Sequence, residues 1–190
     1  MSDSIWAASL ATFRDRVASI DPVPAGVSAA AVTATLGLAL LTKVVDIASN
    51  RKDFSGDREL AASLLHEARN QSQILVQLAE EDIAVYRRYL DALRRKESIE
   101  QARRKTIEVP LAIARTSASG IALCEQAAQL IHVALAPDLI TARALLAAAV
   151  ESTLSTVKAN LEQLPSGDPY GEEAGAEFRE LLKNRSAHRR

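Results

Sequence analysis

Glu80-Glu81-Asp82 is the densest acidic group in the sequence. A run of charges usually marks a solvated helix face. Asp82 differs from its two neighbours because Ile83, Val85 and Tyr86 follow it, the surroundings of a partly desolvated carboxyl. Desolvation raises a carboxyl pKa and suits the group to moving protons near neutral pH. Lys43 and Asp46 stand three residues apart in an otherwise apolar stretch, so they share a helix face and are expected to pair or to line a wet cleft. Lys52 and Asp53 belong to a polar loop, where side chains can meet a ligand or simply face water. His66, His132 and His188 have no evident partners in sequence, and metal ligand sets need three or four groups, so no metal site is expected. The single Cys124 excludes an intrachain disulfide and a cysteine-built zinc site. No phosphate loop, HExxH or Gly-x-Ser-x-Gly pattern occurs.

The element that must position these groups is the stretch from Pro22 to Asn50. No charge occurs between Asp21 and Lys43, and Ala, Gly, Ser and Thr dominate. A helix that is apolar all round is expected to be buried all round, and its small side chains let other helices come close. Pro22-Val23-Pro24 ends the segment before it. Ser28 then serves as N-cap, or as a first-turn residue if Gly26 caps. A membrane span is the rival reading, since about 20 apolar residues cross a bilayer. The scarcity of large aliphatics, the interruption by Lys43 and Asp46, and the expected lack of a second such stretch favour a buried helix and no membrane partner.

The remaining pattern is helical throughout. Trp6, Leu10, Phe13 and Val17 mark one face of a helix over about 3–19. Leu60, Leu64, Ile74, Leu78, Ile83 and Leu90 mark a long helix over 58–95. A further helix over 98–135 contains Pro110, which predicts a kink or a fresh start. Pro137 or Asp138 opens the next helix, which runs to about Leu164. A last amphipathic helix carries Phe178, Leu181 and Leu182, and the basic tail 183–190 is expected to fray. With 48% hydrophobic but only 4% aromatic residues, the core must be aliphatic and alanine-rich. One all-α domain over 1–190 is expected, an up-and-down bundle of five to six helices around the alanine-rich one. A net charge of −1 offers no field for nucleic acid. With no signal peptide visible, the expected location is cytoplasmic.

Several of these stretches resemble the cyclodeaminase/cyclohydrolase family. The family's Pro-x-Pro-Gly-Gly-Gly-Ser lead-in stands here as Pro22-Val23-Pro24-Ala25-Gly26-Val27-Ser28. A basic pair and an aromatic follow as Arg51-Lys52-Asp53-Phe54, and Asp-x-x-Ala-Tyr stands as Asp82-Ile83-Ala84-Val85-Tyr86. The Val-Pro helix is Glu108-Val109-Pro110-Leu111-Ala112, the Ser-Asp helix start is Pro137-Asp138, and the closing motif is Thr156-Val157-Lys158-Ala159-Asn160-Leu161.

The resemblance implies a homodimer with a folate pocket between helices or subunits. It implies closure of formimino-tetrahydrofolate with loss of ammonia, or addition of water to a methenyl bridge, with the folate as substrate and no separate cofactor. Asp82 would be acid/base, and Lys52 a contact to a carboxylate or to the transition state. Gly26, Ser28, Lys43, Asp46, Tyr86, Asp138 and Asn160 would bind substrate. Ala25 and Val27 replace two motif glycines, and a valine fills space that glycine leaves to a ligand. A bundle remodelled for another small molecule, or a non-catalytic assembly protein, is the alternative.

Overall fold

The computed structural model describes residues 4–187, with side chains described as far as Lys183. The chain forms α1 (Leu10–Val17), α2 (Gly26–Ser49), α3 (Arg58–Arg95), α4 (Ile99–Ala127), α5 (Ala136–Leu161) and α6 (Pro169–Ala187). The described residues contain no strand. Short connections make sequential helices run antiparallel. Helices α2, α3, α4 and α5 form a ring in which each packs on the next and α5 closes back on α2. Leu38, Leu41, Leu75, Ile107, Ile113, Leu146 and Val157 are fully buried inside that ring, with no aromatic among them. Helix α6 lies across α4 and α5.

Small residues set the spacing of the ring. A Cβ added at Gly37 would stand 2.9 Å from the Ala142 carbonyl oxygen and 3.0 Å from the Leu146 side chain, so α2 and α5 touch almost backbone to backbone there. Helix α2 packs on both of its neighbours, but it is not enclosed all round. Leu36 (54% exposed) and Ile47 (43%) on α2, with Ile140 (67%) on α5, form an outward apolar face. Three helical stretches, not one, are long and apolar enough to cross a membrane by length and composition: Gly26–Ser49, Ile99–Ala127 and Val133–Leu161. The expectation of a single such stretch fails because alanine and leucine in α4 and α5 outweigh their scattered charges. In the third stretch only 28% of the apolar window is buried within the chain, and its exposed apolar side chains are mainly Val133, Ile140 and alanines.

Local capping explains other differences. The expected helix over 3–19 is split into a 3₁₀ turn at Ile5–Ala7 and the short α1, because Ser4 and Ser9 each accept a hydrogen bond from a backbone N–H two or three residues on and restart the chain. No residue of α1 is buried. Helix α3 is continuous over all 38 residues, starting where the Asp57 carboxylate accepts from the Glu59 and Leu60 N–H groups. Leu75, not Ile74, is its buried residue at that turn. Helix α4 passes through Pro110 without a new start and ends at Ala127, earlier than expected. Proline leaves the carbonyl four residues earlier, that of Thr106, without its helical donor. The Asn160 side chain of α5 supplies the missing donor, Nδ2 to the Thr106 oxygen at 2.8 Å. Helix α6 stays helical to Ala187; His188 and the rest of the expected frayed tail lie outside the described residues.

Candidate active site

The Asn160–Thr106 contact forms one wall of a cleft of about 290 Å³ at the N-terminal end of α2. Pro22, Val23, Ala25, Gly26 and Val27 form its rim and floor, Asp82, Val85 and Tyr86 project from α3, and Thr106, Pro110, Thr156 and Asn160 close it from α4 and α5. Ala25 caps α2 without a side-chain hydrogen bond, so Ser28 falls in the first turn. There it is fully buried and points across to α3. Its hydroxyl donates to Asp82 Oδ2 at 2.5 Å. Burial pushes the Asp82 carboxyl above the usual carboxylate range, and the Ser28 hydrogen bonds only partly oppose that shift. The result is a single carboxyl in a mostly apolar recess, within reach of an entering ligand.

The acidic triplet separates in space. Glu80 Oε1 accepts from the Ser4 hydroxyl at 2.5 Å and from the Ile5 N–H at 2.9 Å, tying the chain start to α3. Glu81 is exposed to solvent, and Asp82 alone lines the cleft. Gly26 faces open space, with nothing within 4 Å of an added Cβ. Val27 is buried and lines the same cleft, where the resembling motif has glycine. The structure therefore brings together Gly26, Ser28, Asp82, Tyr86 and Asn160.

The other expected site residues lie elsewhere. Helix α2 has 24 residues, so its ends are ~36 Å apart. Lys52 lies past its C-terminal end, exposed, and does not share the Asp82 cleft. Lys43 and Asp46 do not pair with each other. Lys43 binds Asp138 of α5 at 3.0 Å, and Asp46 binds Arg69 of α3 at 3.3 Å. Asp138 is thus an ion-pair partner in this chain, away from the cleft. Arg51 binds Asp53 at 2.8 Å, and its hydrogen bond pulls the Asp53 carboxyl down to about 2.

Among the described residues no group of three or more His, Cys, Asp and Glu is placed to hold a metal ion. Cys124 is buried, and burial pushes its thiol up to about 12. Thr106, Pro110 and Thr156 were not expected in the site. The signal that could have found the first two is Pro110 itself, since a helical proline demands a donor for the carbonyl four residues earlier.

The fold is thus a helical bundle with a protonatable carboxyl in a small recess, an arrangement compatible with acid–base chemistry on a small molecule. The sequence pattern of the formiminotransferase-cyclodeaminase family matches residues 9–178, and the chain belongs to that family. The structure is similar to the crystal structure of a formiminotetrahydrofolate cyclodeaminase from Thermotoga maritima, with a TM-score of 0.90 over 97% of this chain and 93% of that one, at 20% identity. Comparison with curated proteins gave no match.

Proposed function

We propose that the chain is a folate-dependent C–N bond enzyme, a formiminotetrahydrofolate cyclodeaminase or a methenyltetrahydrofolate cyclohydrolase. The observation that carries this reading is Asp82, desolvated in the cleft and oriented by Ser28. In the cyclodeaminase direction, N10 of the folate attacks the carbon of the protonated formimino group (–CH=NH2⁺) and loses its proton to the Asp82 carboxylate. The carboxyl then returns that proton to the departing nitrogen, which leaves as ammonia while the methenyl bridge remains. In the hydrolase direction, Asp82 takes a proton from the water that adds to the methenyl carbon and delivers it to the ring nitrogen as its C–N bond breaks, while the remaining hydroxyl proton is released to solvent as the formyl carbonyl forms. A base titrating closer to the working pH than an ordinary carboxylate serves both directions. The substrate is itself a tetrahydrofolate derivative, and no resident cofactor is called for.

We further propose a homodimer, cytoplasmic and without nucleic-acid or membrane partners. The outward apolar face of α2 and α5 is the surface for the second copy. Lys52 can serve Asp82 only from that copy, with the two α2 helices antiparallel so that the C-terminal end of one meets the N-terminal end of the other.

Val27 favours a second reading, a cleft reshaped for a different small molecule, because its side chain occupies the wall where the family motif has glycine. Thermal unfolding with millimolar tetrahydrofolate separates the two. A ligand at a hundred times its Kd stabilises by about 2.7 kcal/mol. Stabilisation that is lost in Gly26→Leu, which fills the open space in the cleft, supports the folate reading; no stabilisation of the wild-type chain rejects it.

A further inference from the structure

A second cleft, of about 410 Å³, lies between the end of α3 and the start of α4. It shares Val85 with the Asp82 cleft and is lined further on by Arg88, Ser98, Gln101 and Lys105. Two cations, a hydroxyl and an amide make a donor-rich lining, and no carboxylate belongs to it. The surrounding segment is strongly basic. Residues 87–105 contain eight Lys or Arg against three Asp or Glu, while the whole chain is at −1. Arg94, Arg103, Arg104 and Lys105 are paired with Asp91, Glu100, Asp168 and Glu108, the last at 2.8 Å, so a carboxylate arriving at Lys105 competes with Glu108. Arg88 forms no ion pair among the described residues.

We infer that Arg88 and Lys105 receive the carboxylates at the acidic end of the ligand whose reacting nitrogens sit at Asp82. On the folate reading above, on which this rests, that end is the glutamate, and its para-aminobenzoyl spacer runs along α3 over Val85. Asp82 and Arg88 are six residues apart on one helix, a rise of ~9 Å, comparable to such a spacer. Arginine suits the role because its planar fork can grip a carboxylate through two hydrogen bonds, with lysine beside it as a point charge. The two clefts then act as one extended site, reaction at one end and charge recognition at the other.

The test is calorimetric binding of two probes, tetrahydrofolate and a tetrahydropteroyl methylamide. The second keeps the ring and the benzoyl amide but lacks both carboxylates. The wild-type chain is expected to bind tetrahydrofolate about tenfold more tightly, the scale of partly solvated charge-assisted contacts, and the preference shrinks with added salt. Arg88→Gln/Lys105→Gln is expected to bind both probes alike. Both positions are exposed and glutamine is a good helix former, so helicity by circular dichroism stays unchanged. A preference that survives in the double variant overturns the assignment while leaving the folate reading standing. Absence of binding of either probe to the wild-type chain overturns both.

Discussion

The two ends of α2 use their polar side chains in opposite ways. At the C-terminal end Lys43, Asp46, Arg51 and Asp53 are each matched by an opposite charge, and all are open to solvent. At the N-terminal end a single carboxyl is held by one serine among valines and prolines, with no cation beside it. Among these pairs, the Arg51 hydrogen bond pulls the Asp53 carboxyl down to about 2, away from the range where it could exchange protons near neutrality. The lone desolvated carboxyl is pushed upward, which is the property the proposed proton transfer requires. Charge density along a helix is therefore a poor guide to function here, and the dielectric around one group is the better one.

The largest expected contrast is in catalysis. Asp82→Asn should lower turnover of a formimino- or methenyl-tetrahydrofolate by ~10²–10⁴-fold, the range of a positioned acid–base group. Arg69→Gln, at the other end, should leave turnover within about twofold. Equal effects would erase the contrast.

The next effect is on stability. Asn160→Ala leaves the Thr106 carbonyl without its donor, at a cost of about 1–3 kcal/mol, read as a lower midpoint in urea. No change would mean that the donor does not sustain the helix through Pro110.

Asp82 also links pH to folding. Its folded-state pKa lies above the ordinary value of 3.8. Its contribution is thus fully present below that ordinary value and is lost as pH rises through the raised one. Asp82→Asn should therefore be more stable than wild type near neutrality, and the gain should vanish below about pH 3.8, measured by urea unfolding at both pH values. A gain that grows on acidification would mean that the carboxylate form is the one the fold favours.

The smallest effect belongs to the exposed pairs. Breaking Arg69–Asp46 should cost under about 1 kcal/mol, and high salt should abolish the difference.

What could be read beforehand follows the range of the interactions. Helix α3 was legible end to end because its pattern and its Asp57 cap are local. Asp82 was legible because its apolar neighbours follow it within one turn. The partners of Lys43 and Asn160 were not, since Asp138 lies 95 residues away and Thr106 lies 54. The same holds for Lys52. A motif places it in the chain, but only the length of α2 shows that it stands at the end opposite Asp82. The outward face of α2 escaped as well, because alanine and leucine look alike whether they face a core, a second copy or a bilayer.

The central claim is that Asp82, oriented by Ser28, moves the proton. It is tested most directly by the pH dependence of kcat/KM in the wild-type chain and in Ser28→Ala. The wild-type profile should fall on the acid side through a group titrating above the ordinary carboxyl value. Because the Ser28 hydrogen bonds hold that value down, the limb should move to higher pH in Ser28→Ala. A profile with no such limb, or one that Ser28→Ala leaves in place, would contradict the claim.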